Sequence, residues 1–259
     1  MEFSSWAVDP TLPVLATAIH AGHGLRPEVA DRMVLDPRVR RREEDPHTDE
    51  LAEVIGSYVF VHRSRFEVDL NRDRNASVYA GPDDAWGLEL WARPLEEAVV
   101  ERSRALHDAF YACVADTLDD LVSRHGGFVL YDVHSYNHRR DGPDGPPADP
   151  TANPGVNLGT GSLPGRWKPL AQSFLDTMNC MTVGGEAVDA RENVKFVGRN
   201  MPQFVHDRYG EVGCALAIEC KKTFMDEWTG RVDGVRLTDL RRALAATVEP
   251  VWNEHLRCR

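Results

Sequence analysis

The sequence predicts an α/β fold whose central strands run parallel. Two features lead there. Pro13-Val-Leu-Ala-Thr-Ala-Ile-His20, Gly127-Phe-Val-Leu-Tyr-Asp-Val-His-Ser-Tyr136 and Gly213-Cys-Ala-Leu-Ala-Ile-Glu-Cys220 are continuous apolar runs, the pattern of strands buried on both faces of a sheet. Each run ends in side chains that cost free energy to bury unpartnered: His20, then Asp132 with His134, then Glu219. In open α/β sheets, chemistry sits beyond the carboxyl ends of the strands. Two histidines and a glutamate at three strand ends are what a hydrolytic metal site needs, two neutral nitrogen ligands and a carboxylate base.

The elements follow in order. Residues 21–47 are charged and carry turn residues, which predicts an irregular active-site loop. Thr48 precedes Asp49-Glu-Leu-Ala-Glu-Val-Ile-Gly56 and reads as the cap of a short helix. Tyr58-Val-Phe-Val-His62 and Phe66-Glu-Val-Asp-Leu70 alternate or cluster as strands do. Over 94–124, Leu95, Ala98, Val99, Leu106, Phe110, Val114, Leu118 and Leu121 recur at helical spacing, a long amphipathic helix. His125-Gly126-Gly127 closes it, glycine being free to turn left-handed. The stretch Arg139 to Pro164 is rich in Pro, Gly and Asp, and a loop of that length in a compact domain is more often a functional cover than a plain connection. A helix near 167–179, a strand near 194–198 and a C-terminal helix over about 238–256 complete the expectation.

Composition narrows the function classes. At 259 residues the chain suits one large α/β domain, expected to span 1–259. A net charge of −11 argues against a nucleic-acid partner, because phosphate contacts need a basic face. No apolar run approaches the ~18 residues of a membrane span, so no membrane partner is expected. The start, Met1-Glu-Phe-Ser-Ser-Trp6, lacks the basic and apolar regions of a secretory leader. Cysteines 113, 180, 214, 220 and 258 are odd in number and form no Cys-x-x-Cys pair, which points to a reducing, cytoplasmic setting.

The candidate site residues cluster in short motifs. His134 has Asp132 two positions before it, an orienting neighbour if the strand end twists to bring them together. His20 and His23 form a His-x-x-His pair around a glycine turn; either both reach a metal or His23 is structural or contacts substrate. Arg42-Glu-Glu-Asp-Pro-His-Thr-Asp49 packs four carboxylates and a histidine into eight positions, leaving Glu44 and Asp45 as candidate carboxylate ligands, or a solvated charged face. In Arg63-Ser-Arg-Phe-Glu-Val-Asp-Leu-Asn-Arg-Asp-Arg74 the interleaved acids cancel any basic field. A guanidinium held by Asp69 beside Asn71 suits the grip of a small-molecule carboxylate, the alternative being an internal ion-pair network.

In this order, His20-Ala-Gly, Glu44-Asp-Pro-His-Thr-Asp49, Ser64-Arg-Phe-Glu-Val-Asp-Leu-Asn-Arg72, Asp132-Val-His-Ser135 and Ala217-Ile-Glu219 resemble the N-formylglutamate amidohydrolase family from about residue 13 to about 235. That family is similar to the zinc carboxypeptidase-like hydrolases, aspartoacylase among them. The resemblance implies a single-domain α/β fold of the zinc carboxypeptidase-like (phosphorylase/hydrolase-like) kind, a mixed, mostly parallel sheet with helices on both faces. It implies a zinc cofactor on His20, His134 and a carboxylate. The relatives' His-x-x-Glu is His20-Ala-Gly-His23 here, so Asp45 is the preferred third ligand, with Glu44 or His23 as alternatives. It further implies Glu219 as general base, Asn71 and Arg72 as the grip on the substrate carboxylate, and Arg65 beside the scissile carbonyl. The expected activity is hydrolysis of an N-acyl, formyl-like amide of an acidic amino acid. Two rivals are a zinc metallopeptidase acting on a peptide or isopeptide, and an amino-acid-binding module without catalysis.

Overall fold

The computed structural model describes residues 2–259; Met1 lies outside the described residues. In chain order the strands are β1 (Ser4–Ala7), β2 (Val14–Ala18), β3 (Tyr58–Val61), β4 (Phe128–Tyr136), β5 (Val156–Gly159), β6 (Thr182–Val183), β7 (Glu186–Ala187), β8 (Ala190–Glu192) and β9 (Gly213–Lys221). The α-helices are α1 (Pro27–Ala30), α2 (Pro37–Glu43), α3 (Thr48–Glu53), α4 (Glu97–His125), α5 (Lys168–Asn179), α6 (Asn200–Tyr209) and α7 (Gly234–Cys258).

Seven strands form one mixed sheet in the order β1-β3-β2-β4-β9-β5-β8. The run β3-β2-β4-β9 is parallel throughout, and β1 and β5 pair antiparallel with β3 and β9. Every residue of β2 and β4 is buried, which is why both read as unbroken apolar runs. Alternate side chains enter two cores. Val129, Tyr131 and Val133 of β4 pack with α3, α5 and α7, while Phe128 and Leu130 pack with α4 and α6. Helices therefore cover both faces. Asp132 and His134 continue the second face, so they point to the α4/α6 side, where the sheet ends in a cleft.

Helix α4 starts at Glu97, three residues later than its periodicity predicts, and its inner face changes character along its length. Phe110, Val114, Leu118 and Leu121 are buried against the sheet, each worth roughly 1.5–3 kcal/mol. One end instead presents buried polar groups: Ser103 Oγ accepts from Arg26, and His107 Nε2 bonds the carbonyl oxygen of Arg72. Gly126 takes φ 73° and caps the helix, its N–H reaching Val122 O.

Several sequence expectations change. Phe66–Leu70 is not a strand: Ser64 O accepts from the amides of Glu67 and Val68, and Ser64 Oγ accepts from that of Phe66, which turns the chain locally. Residues 194–198 are not a strand either. The strand is β8, and it stops where Asn193 takes φ 52°; beyond it Asn157 Oδ1 takes the amides of Lys195 and Phe196. Thr48 does not cap α3. His47 occupies the N-cap in a left-handed conformation, and Thr48 Oγ1 donates back to Asp45 O. The 21–47 loop contains α1 and α2, and the 139–164 stretch contains β5. The five cysteines are free thiols. No helix among the described residues is long and apolar enough to cross a membrane.

Candidate active site and metal centre

Strand β2 delivers His20 two residues past its end, and Gly22 turns the chain away. A Cβ on Gly22 would sit 2.2 Å from the carbonyl carbon of His62, so no larger residue lets the backbone pass beside the end of β3. His134 projects from β4, and Asp45 arrives from the loop after α2. These three are buried, and one ligand atom from each lies within 4.8 Å of the others. Both imidazoles turn Nδ1 toward Asp45 Oδ2, at 3.4 Å from His20 and 3.0 Å from His134.

The far side of each ring is fixed by another carboxylate. His20 Nε2 lies 2.7 Å from Asp69 Oδ1, and His134 Nε2 lies 3.2 Å from Asp132 Oδ2. Asp132 is itself held by Thr17 Oγ1 at 2.8 Å. A carboxylate on Nε2–H leaves the Nδ1 lone pair for a metal, the arrangement by which outer groups orient imidazole ligands. His20 Nδ1 is buried with no hydrogen-bond partner. A buried acceptor left alone is costly, and a cation beside it removes the cost. The donor set, two imidazole nitrogens and a carboxylate, suits zinc.

Electrostatics keep the carboxylates ionised. Burial opposes charge on Asp45, yet the two imidazoles beside it, His134 foremost, hold its pKa well below the usual carboxylate range. Asp69 is likewise held low against burial by Arg65, His20 and Tyr79. Glu219 differs. It lies on β9 at the position paired with His134, and burial raises its pKa to about 8, with His134 pulling the other way. A cavity of about 320 Å³ joins these groups, reaching from His20, Asp45 and His134 to Glu219, Arg65 and Arg72.

The N-formylglutamate amidohydrolase model matches residues 12–225, most of the chain and all of this site. The chain belongs to the N-formylglutamate amidohydrolase family. It is accordingly a hydrolase of the amidohydrolase type. A solved N-formylglutamate amidohydrolase from Ralstonia eutropha JMP134 is similar at TM-score 0.73 and 17% identity, covering 98% of each chain. A gene product of Agrobacterium tumefaciens gives TM-score 0.68 at 15% identity, over 98% of this chain and 96% of that one. Both likenesses are of fold. No curated protein matches the sequence.

Within this family member, the loop 63–74 supplies one wall of the cleft. Arg65 Nη2 pairs with Asp69 Oδ2 at 2.8 Å, and the guanidinium lies 5.0 Å from the Trp86 ring centroid. Burial works against its charge, but Asp69 more than offsets it and Arg65 stays cationic. Arg72 donates to Asp84 O at 2.6 Å and stacks over Tyr79 at 4.3 Å, so its head group is fixed at the cleft edge. Asn71 Oδ1 accepts from Asn200 N at the start of α6, which ties this wall to the far one.

His23 and Glu44 do not join the metal group. His23 Nδ1 meets Glu44 Oε2 at 2.5 Å, its Nε2 meets Arg40 at 2.9 Å, and Glu44 Oε1 takes the hydroxyl of Ser64. Both side chains are spent in that network, which turns them away from His20. Two residues of the site go beyond the sequence expectations. Asp69, expected to hold an arginine, also holds His20. Lys222 carries no expectation, yet it is buried with its Nζ on the carbonyl oxygen of Glu44, next to Asp45 in the chain. Only its place next to the Glu219 strand could have flagged it.

Proposed function

We propose that this chain is a zinc-dependent amidohydrolase that removes a small, formyl-like acyl group from the nitrogen of an acidic amino acid. The observation that carries the reading is the buried His20–Asp45–His134 group with Glu219 beside His134 in one small cleft. Zinc held by those three residues would polarise the scissile carbonyl and lower the pKa of water from 15.7 toward ~7.

The chain's own residues do the rest. Asn71 and Arg72 receive the substrate's α-carboxylate, Arg72 being already held by Asp84 O and Tyr79. Arg65, kept charged by Asp69, faces the carbonyl oxygen as negative charge develops there, a contribution of roughly 3–4 kcal/mol for a well-placed donor. Glu219 takes a proton from the attacking water and passes it to the leaving amine. Its pKa, raised to about 8 by burial, makes it a stronger base than an exposed glutamate, and a nearby cation favours its ionised form.

A cavity of about 320 Å³ lies at the small end of ligand sites and suits a single acylated amino acid. Beside the cleft, residues 138–139 are pinned, with Glu227 accepting both backbone amides and Trp228 donating to Arg139 O. The test is zinc content together with turnover of N-formyl, N-acetyl and N-succinyl amino acids and of short peptides. Zinc-dependent release of formate from N-formyl acidic amino acids is expected. Peptide cleavage in preference would favour a metallopeptidase, and tight binding with no turnover a non-catalytic module.

A further inference from the structure

A lysine that is 1% exposed has to find partners for its ammonium, and Lys222 finds three. Its Nζ donates to Arg42 O at 2.7 Å, to Glu44 O at 2.6 Å and to Asn137 Oδ1 at 3.0 Å. None of the three is a carboxylate, so the group is not one half of a salt bridge. Two are main-chain carbonyls at the C-terminal end of α2, where unpaired oxygens carry partial negative charge. The backbone of Lys222 is bound as well: its N–H donates to Tyr136 O at 3.0 Å, at the end of the strand that bears His134. One residue thus joins β4, β9 and the segment entering Asp45.

We propose that Lys222 is a positioning residue for the metal group, fixing the place of the Asp45 carboxylate relative to His20 and His134. The geometry is that of a single peptide plane. The carbonyl of Glu44 and the N–H of Asp45 belong to one rigid amide. Lys222 holds its oxygen, and His20 O accepts from its N–H at 2.9 Å. With both edges of the plane pinned, the Cα of Asp45 has no freedom on that side. On the other side Thr48 Oγ1 holds Asp45 O at 2.7 Å. The side chain then reaches His134 Nδ1 with little conformational entropy left to lose. A neutral side chain in place of Lys222 releases the Glu44 carbonyl, and the plane can rotate.

The inference rests on the proposed metal reading, and the experiment separates the two. The full chain and its Lys222→Met and Lys222→Gln variants are titrated with zinc against a competing chelator. Melting temperatures and visible spectra of the cobalt-loaded proteins are recorded in parallel. The expected result is a zinc dissociation constant raised roughly 10–100-fold in Lys222→Met, the range for losing a residue that orients a ligand. Lys222→Gln, which can still donate to one carbonyl, should fall between, and both cobalt spectra should shift. Zinc affinity within twofold of the native chain and an unchanged spectrum, in either folded variant, would overturn the inference while leaving the metal reading intact. Failure of both variants to fold would assign Lys222 to stability alone and also overturn it. Absence of zinc binding by the native chain would remove the metal reading and this inference with it.

Discussion

His134 and Glu219 occupy paired positions on adjacent parallel strands, β4 and β9, with both side chains on the sheet face that opens into the cleft. The pairing sets a candidate ligand and a candidate base side by side without any loop between them. Sites built on strands hold their geometry more tightly than sites on loops. Glu219→Gln keeps the shape and removes the basicity, so it should retain zinc and substrate affinity. Its kcat should fall roughly 10²–10⁴-fold. Wild-type turnover in that variant, measured by formate release, would sink the base assignment.

Arg72 is expected to act on binding rather than on the chemical step. Its guanidinium is already oriented by Asp84 O and the Tyr79 ring, and it meets a carboxylate that is present before and during reaction. Arg72→Ala should therefore raise KM at least tenfold with a smaller change in kcat. A KM that does not move, with kcat collapsed, would place Arg72 at the reacting carbonyl instead.

Much of this site was legible because its residues end apolar strands. His20, His134 and Glu219 each interrupt a run whose burial is forced by the sheet, so their positions followed from the pattern alone. Asp45 is preferred over Glu44 only through the family resemblance, since nothing in the residue pattern says which carboxylate of 43–49 turns toward the histidines. The structure decides it by spending Glu44 on Ser64 and His23, and Glu43 on Arg42, Asn137 and Arg140. Asp69 and Lys222 act across 49 and 178 positions of chain, and no local pattern carries such pairings. In the fold, β5 is only Val-Asn-Leu-Gly inside a Pro/Gly-rich stretch, and its place beside β9 is a tertiary fact. Phe66–Leu70 alternates like a strand because Phe66 packs into one cluster and Val68 with Leu70 into another, on a chain that Ser64 has turned.

Asp45→Ala should lower metal affinity and activity together. Asp45 supplies the only carboxylate in the His20–Asp45–His134 group, so its loss removes both a ligand atom and the negative charge that offsets a dication. Zinc stoichiometry after dialysis against a weak chelator should drop well below that of the native chain. Glu44→Gln is the control, since Glu44 faces Ser64 and His23; it should keep its zinc. Full zinc occupancy in Asp45→Ala would leave the carboxylate ligand to be found elsewhere.

Stability should fall on mild acidification through His206. This imidazole is buried under β9, where Nε2 accepts the amide of Ala215 at 3.0 Å and Nδ1 bonds Ser162 Oγ at 2.8 Å. A ring that accepts a backbone amide has no site for a second proton, and burial pushes its pKa down from 6.5 to about 4. Between those values the unfolded chain binds more protons than the folded one, so stability rises with pH across the window. The contribution is full above about 6.5 and is lost progressively as pH falls toward 4, roughly 3 kcal/mol in total for a shift of this size. His255, held against Val212 O with its pKa also lowered to about 4, acts in the same direction. Denaturant unfolding of the native chain at pH 7 and pH 5 should therefore show a loss of stability that His206→Gln reduces, because the amide side chain can still accept from Ala215 but cannot titrate. Identical pH slopes in the two proteins would show that His206 takes up its proton as readily in the fold as in the unfolded chain and would overturn the assignment.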